Sequence, residues 1–445
     1  MSLLKPGDIL RNENGGQECA VKSFLGGGGQ GEVYSCVVDG RPAAVKWYFS
    51  SWLKHDVNLR QRLTRAIDEG APSDRFLWPE MLVTKQGVQG FGYVMPLRET
   101  RFSGLYDLVS GRINPSAGVL SIVGFELAHG FSLLHSKGMC YCDISFGNVF
   151  FDTSDGDIRI CDNDNVDINS AGTRTVGGTP KFIAPEIVQN LGGPNIQTDQ
   201  HSLAVLLFYM LHLHHPLEGK RCLRIRDDST EKAQDVLYGS KALFIFDPQN
   251  NENEAVSKNT DPTGLSGHNA ILNWILYPPA VRDAFVKAFT AGLHDPYSRV
   301  TETEWKSAMM DMRDGIFPCT CGAEICFQGE GVDHYCYNCA RQVPLPPRIT
   351  VNRVSYRSTI LASPGKTLLP LHIDIQKASE TTPSIGEIIE RPNQPGVFGL
   401  KNTSAQTWAA TTADGSHKSI DPGKVMPLSN GLRIHFGSAE AVIVI

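Results

Sequence analysis

The sequence predicts an α+β domain over residues 1–315, a small cysteine-bearing module over 316–343 and an all-β domain over 348–445. Three observations carry this prediction. Strand-like runs near the N-terminus are broken by a glycine-rich stretch and carry an embedded lysine. A long apolar helix then runs into the loop Tyr141–Asn148, followed by a short strand ending at Asp162. From Arg348 onward, short strands alternate with glycines and polar turns, with almost no helical periodicity.

The chain has 445 residues, 41% of them hydrophobic, enough for a sizeable core and two or three domains. A formal net charge of −6 argues against nucleic acid or an anionic membrane as the main partner. The apolar run Leu203–Leu211 is too short to span a bilayer. The start Met1–Pro6 lacks the basic and apolar regions of a signal peptide, so a cytoplasmic protein is expected.

Cys19–Phe24 and Glu32–Val38 read as two strands joined through Leu25–Gly31. Without side chains in the way, such a turn lets backbone amides approach phosphates. Gly26, Gly28, Gly31 and Val33 fit the pattern G-x-G-x-x-G-x-V, and a strand rather than a helix follows the last glycine. Pro42–Tyr48 is a strand with Lys46 inside it, unusual unless the lysine is an edge charge or a ligand. His55–Gly70 has a helical pattern carrying Asp68 and Glu69. Phe91–Leu97 is a strand that runs into Pro96.

Ser116–Gly138 reads as one helix with Gly138 at its C-terminal end. In the loop that follows, Asp143 and Asn148 stand five residues apart and can face one site. A carboxylate there can accept a hydroxyl proton, and an amide oxygen can bind a hard cation. Ile158–Asp162 is a short apolar strand ending in a second carboxylate.

In this order the segments resemble a protein kinase, over roughly Pro6–Gly315. The resemblance implies two lobes, about 1–95 and 96–315. It makes Lys46 the ligand of the α- and β-phosphates of ATP and places Ala44 over the adenine. Glu69 becomes the helix partner of Lys46, with Asp68 as a neighbour. Met95, Leu97 and Arg98 belong to the hinge, where Pro96 has no N–H to donate. Asp143 is implied as the catalytic aspartate, with Asn148 and Asp162 as Mg2+ ligands. Gly178–Glu186 resembles the segment that ends in A-P-E, with Thr179 supporting Asp143. Arg299 is implied as the partner of Glu186. Asp199 is implied to hold the catalytic-loop backbone, and His135 to be structural. Ser170, Thr173 and Thr175 are candidate phosphosites on hydroxyl content alone.

Three positions depart from the family pattern. H-R-D is Tyr141-Cys142-Asp143, which removes the arginine that reads a phosphorylated activation loop. Ser145 stands where a lysine usually lies near the γ-phosphate. D-F-G is Asp162-Asn163-Asp164, where Asp164 and Asp167 read as turn formers or added metal contacts. The expected function is transfer of the γ-phosphate of ATP to Ser or Thr hydroxyls. A nucleotide-binding pseudokinase scaffold is the alternative.

Of the 11 cysteines, five crowd into Cys319–Cys339. Cys319 and Cys321, then Cys336 and Cys339, form two close pairs suited to a tetrahedral Zn2+, with Cys326 and His334 to spare. Four thiolates would make that zinc structural. Gly399–Ser404 and Leu428–Gly437 resemble the second half of a forkhead-associated β-sandwich, although its phosphothreonine-reading pattern is absent. The whole arrangement is a two-lobed kinase-like fold, a zinc ribbon and a small all-β sandwich. It resembles bacterial kinases that accompany a von Willebrand A-type (vWA) protein and a PP2C-type phosphatase in the tellurium-resistance group. That resemblance implies those two proteins as partners.

Overall fold

The computed structural model describes residues 3–169, 178–225, 227–352, 357–374, 377 and 383–445. The candidate phosphosites Ser170, Thr173 and Thr175 lie outside them. The chain divides into two compact units. The first comprises Met1–Pro115, Glu126–Ile271 and Phe285–Thr303, and the second Ser116–Phe125, Leu272–Ala284 and Glu304–Ile445.

The first unit opens with a closed barrel of β1 (Ile9–Asn12), β2 (Glu18–Gly27), β3 (Gly31–Val38), β4 (Arg41–Tyr48), β5 (Met81–Lys85) and β6 (Val88–Pro96). Its strand order is β1-β2-β3-β4-β6-β5. Closure pairs the two ends of the sheet, so no edge is left open. Alternate residues of β3 and β4 fill the interior with Tyr34, Cys36, Val38, Ala43, Val45 and Trp47. The opposite face of β4 points Ala44, Lys46 and Tyr48 the other way. In register, Lys46 lies between Val33 and Tyr93, and Ala44 lies opposite Met95.

Gly31 has a packing reason to be glycine. A Cβ there would meet the Trp47 carbonyl oxygen at 2.2 Å. Gly26 and Gly28 face open space instead, so their backbone is what a ligand would meet.

Two helices, α1 (Ser50–His55) and α2 (Leu59–Glu69), connect β4 to β5. The single helix expected over His55–Gly70 therefore starts later and has a separate turn before it. α2 packs Leu59, Arg62, Leu63 and Ala66 inward, a 3.6-residue periodicity.

The remainder of this unit carries short strands that frame the central loops: β7 (Phe102–Gly104), β8 (Met139–Cys140), β9 (Val149–Asp152), β10 (Ile158–Ile160) and β11 (Asp167–Ile168). β9 pairs with β10 and β7, and β8 pairs with β11. Across both units, the helices in chain order are α3 (Leu105–Val109), α4 (Ala117–Ser136), α5 (Pro185–Val188), α6 (Ile196–His212), α7 (Glu231–Tyr238), α8 (His268–Trp274), α9 (Pro279–Phe289), α10 (Ala291–His294) and α11 (Glu302–Gly315). α4 is long and apolar enough by composition to cross a membrane. Here it is a mostly buried core helix, with Leu120, Val123, Leu127, Phe131 and Leu134 enclosed. Gly138, at φ +72°, ends the turn after it.

The second unit holds a short hairpin, β12 (Ile316–Pro318) with β13 (Glu324–Cys326), that carries the cysteine module. Beyond it stand β14 (Arg348–Asn352), β15 (Arg357–Leu361), β16 (Thr367–Leu368), β17 (Gly386–Glu390), β18 (Phe398–Asn402), β19 (Trp408–Thr411), β20 (His417–Ile420), β21 (Val425–Pro427), β22 (Arg433–His435) and β23 (Glu440–Val444). They form a six-stranded sheet, β15-β14-β23-β22-β19-β20, and a four-stranded sheet, β16-β17-β18-β21. Both contribute to one core, built on Ile349, Val351, Ile360, Ile388, Leu400, Trp408, Ile434 and Ile443. Among the described residues, the short helix α12 (Pro370–Ile373) interrupts this all-β region.

The second unit begins before residue 316, where the sequence placed the boundary. Side chains explain why. Glu324 accepts the Gly118 amide at 3.1 Å, and Gln328 accepts from Arg282 at 3.1 Å. Buried Asp314 meets His372 Nε2 at 2.8 Å, and Arg313 donates to the Thr367 hydroxyl at 2.6 Å.

Candidate active site

Helix α6 organises the central loop. Asp199 in its first turn is 2% exposed and accepts the backbone N–H groups of Tyr141 at 2.5 Å and Cys142 at 3.0 Å. The same carboxylate meets His135 Nε2 at 3.1 Å, and His135 Nδ1 meets Glu302 at 2.7 Å. Burial alone would lower the pKa of His135, but the hydrogen bonds to Asp199 and Glu302 carry it up to about 9. A protonated imidazolium thus ties the end of α4 to α6 and to the start of α11.

Tyr141 stands where the family pattern has histidine. Its ring meets Phe131 edge-on at 5.6 Å, and Phe131 meets Phe76 at 6.3 Å. Its hydroxyl donates to the carbonyl of Cys161, the residue before Asp162. Cys142 takes a left-handed conformation at φ 70°. With that turn made, Asp143 receives the Thr179 hydroxyl at 2.7 Å. Burial raises the pKa of Asp143, with the neighbouring Asp162 charge adding to the rise, while the Thr179 bond opposes it.

The Asn148 amide donates to the Asp143 carbonyl at 2.8 Å, which leaves its oxygen free to face a cation. The Cys161 N–H donates to the Asn148 carbonyl at 2.8 Å, and so sets Asp162 beside Asn148. Asp162 is left-handed at φ 51°, and its side chain is 41% exposed. One carboxylate and one amide oxygen make a hard-oxygen donor set that fits Mg2+.

Lys46 is buried, and its Nζ lies 2.8 Å from Asp164, 3.3 Å from Asp162 and 2.7 Å from the Gln30 amide oxygen. Burial disfavours its charge, but the two carboxylates outweigh that and raise its pKa. Asp164 is 3% exposed and also accepts the Tyr48 hydroxyl at 2.5 Å. Burial and the Asp164 charge hold the Tyr48 phenol far above its usual pKa, so it remains a donor. Asn163 is fully buried and donates to the carbonyls of Leu77 at 2.9 Å and Ile160 at 3.0 Å. An amide tethered to two backbone carbonyls thus fills the place of the D-F-G phenylalanine.

Glu69 needs correction as the partner of Lys46. It is the last residue of α2 and is exposed, and its backbone carbonyl accepts from Lys137 at 2.9 Å. The inward polar residue of α2 is Arg62, bound to Asp56 at 2.8 and 2.5 Å. Asp68 is exposed as well. The carboxylate partners of Lys46 come from the Asp162–Asp164 segment.

A cleft beside Asp143 is lined by Gln30, Cys142, Asn165, Gly178, Thr179 and Pro180. Ala44 and Met95 are buried behind Lys46, while Val33 and Leu97 are half-buried. Arg98 donates to the Phe102 carbonyl at 2.6 Å and lies 4.0 Å from the Phe150 ring centroid. Below the site, Glu186 and Arg299 form two parallel bonds at 2.8 and 2.7 Å, with Arg299 itself 3% exposed.

In the second unit, the sulfurs of Cys319, Cys321, Cys336 and Cys339 all lie within 4.8 Å of one another. Tetrahedral Zn2+ with bonds of about 2.3 Å needs sulfurs roughly 3.8 Å apart, so the set fits. Cys326 and His334 stand outside it. His334 Nε2 accepts the backbone N–H of Gln328 at 2.9 Å.

A β-barrel lobe over a helical lobe, with a lysine, two aspartates and an asparagine between them, defines a phosphotransferase-type fold. The protein kinase domain model matches residues 19–262, more than half of the chain, and the chain belongs to that family. It is 28% identical over 117 residues to a Zea mays protein named "Probable serine/threonine-protein kinase CCRP1", a match of 26% of this chain and 18% of that protein. It is 40% identical over 97 residues to protein kinase C delta type of Mus musculus, covering 21% of this chain and 14% of that protein. Over 100 residues it is 36% identical to protein kinase C eta type of Homo sapiens, covering 21% and 14%. These matches span less than a fifth of each relative.

Proposed function

We propose that this chain is an ATP-dependent protein kinase that phosphorylates Ser or Thr hydroxyls of a protein partner or of itself. The observation that supports the reading is the set of contacts that links Lys46 to Asp162, Asp162 by its charge to Asp143, and Asp143 to Asn148. Lys46 orients the α- and β-phosphates. Asn148 and Asp162 would hold Mg2+, which would supply positive charge against the phosphates. Asp143, fixed by Thr179 and by the Asp199-anchored backbone, takes the proton of the attacking hydroxyl. Gly26, Gly28 and Gly31 shape the loop that lies against the phosphates. Val33, Ala44, Met95, Leu97 and Arg98 surround the adenine.

The cysteine module acts as a structural zinc ribbon, and the all-β tail as a forkhead-associated-like interaction module. The resemblance to the tellurium-resistance group supports a bacterial, cytoplasmic setting with a vWA-type protein and a PP2C-type phosphatase as partners. Incubation with γ-labelled ATP and magnesium, alone and with a co-purified vWA-type candidate, tests the reading. Label on serine or threonine that is lost in Asp162→Ala is the expected result. Tight nucleotide binding with no label on any protein would favour a pseudokinase scaffold instead.

A further inference from the structure

We propose that Asp164, supported by Tyr48, is the positioning residue that holds Lys46 towards the nucleotide, in place of a carboxylate on helix α2. This rests on the kinase reading above and assigns a role that reading leaves open.

The argument is geometric. Lys46 and Tyr48 project from the same face of β4, two residues apart, and both reach one carboxylate oxygen of Asp164, at 2.8 and 2.5 Å. All three side chains are enclosed: Lys46 is 5%, Tyr48 1% and Asp164 3% exposed. A buried carboxylate is costly unless its charge and lone pairs are matched; here an ammonium and a phenol match Oδ2, while Oδ1 is buried without a hydrogen-bond partner, so the Lys46 charge is the chief compensation for burying Asp164. Asp162, by contrast, stays 41% exposed at 3.3 Å from Lys46, and its other oxygen is available to a cation. The two aspartates therefore divide the work: Asp162 faces the cleft, and Asp164 faces the lysine.

Helix α2 offers no substitute. Its inward polar group is the Arg62 guanidinium, and Asp68 and Glu69 are exposed. Asn163 pins the segment between the aspartates through two backbone carbonyls, so the carboxylate that orients Lys46 is fixed by the floor of the site. The consequence is regulatory. A swing of α2 would leave the lysine in place, whereas any flip of Asp162–Asp164 would release the lysine and the cation ligand together.

A double-mutant cycle on the full chain tests this. Asp164→Asn and Lys46→Met are measured singly and together for kcat and KM with Mg-ATP, beside Glu69→Gln, with melting temperatures as a check on folding. Misplacing the lysine predicts a loss on the order of 10- to 100-fold in kcat/KM for Asp164→Asn. The decisive expectation is that Asp164→Asn adds nothing in the Lys46→Met background, because both changes remove the same function. A merely structural aspartate would give additive losses, and that result overturns the proposal. So would a larger loss in Glu69→Gln than in Asp164→Asn.

If Asp164→Asn does not fold, Tyr48→Phe replaces it in the cycle. It removes one hydroxyl, and its smaller loss must vanish in the Lys46→Met background too. If the parent chain transfers no phosphate, the kinase reading fails on its own. The same cycle is then read from Mg-ATP affinity by calorimetry, where non-additivity again supports the assignment and additivity overturns it.

Discussion

Asp199 accepts the backbone N–H of Cys142 at 3.0 Å, one residue before the candidate base Asp143. The bond spans 57 residues of sequence and sets the left-handed turn at Cys142. An asparagine at 199 has one acceptor oxygen for two N–H groups and brings an N–H2 that repels one of them. Asp199→Asn is therefore expected to lower kcat by about 100-fold through misplacement of Asp143. The KM for Mg-ATP should change little, and initial-rate kinetics would read both.

His135 makes stability depend on pH. Its pKa is about 9 in the fold, against an ordinary value near 6.5 in the unfolded chain. A raised folded pKa stabilises fully below 6.5, and the contribution is lost as pH rises from 6.5 to about 9. Its size is on the order of 3 kcal/mol. Urea midpoints measured from pH 6 to 9.5 should fall across that window, and the fall should flatten in His135→Gln.

Arg299 is nearly inaccessible, and its guanidinium is shared among Glu186, the Gln197 carbonyl and the Gly292 carbonyl. Glu186→Gln leaves a buried charge without its counterion. A loss of about 3 kcal/mol is expected in equilibrium unfolding of the variant. The reverse change, Arg299→Lys, keeps the charge but loses the two-pronged geometry, and should cost a similar amount.

The four-cysteine cluster predicts close to one zinc per purified chain by elemental analysis. Cys336→Ser should lose the metal and lower the melting temperature of the second unit, because a thiolate that no longer bonds the ion forfeits folding energy. Cys326→Ser, outside the cluster, should keep the metal.

The sequence revealed those parts of the site whose chemistry depends on order along the chain. The glycine hairpin, the strand lysine, the Asp143–Asn148 loop and the Glu186 and Arg299 pair each lie in a local pattern. What it hid depends on helix phase and long-range burial. Periodicity predicted a helix near Glu69 but could not show that Leu59, Arg62, Leu63 and Ala66 take the inward face. Asp164 read as a turn residue because its partners, Lys46 and Tyr48, lie on a strand 116 or more residues earlier. Its only local signal was the replacement of glycine in D-F-G. The unit boundary was hidden for a similar reason. Asp314 and Arg313 close the preceding helix in sequence, but bond to His372 and Thr367 in space.

The most direct measurement is the initial rate of γ-phosphate transfer at saturating Mg-ATP, for the parent chain and for Asp143→Asn. Removing the proposed general base predicts a fall of about 10²- to 10⁴-fold, with nucleotide affinity within about twofold of the parent. Equal rates in the two proteins, or no transfer by the parent despite bound nucleotide, would contradict the account.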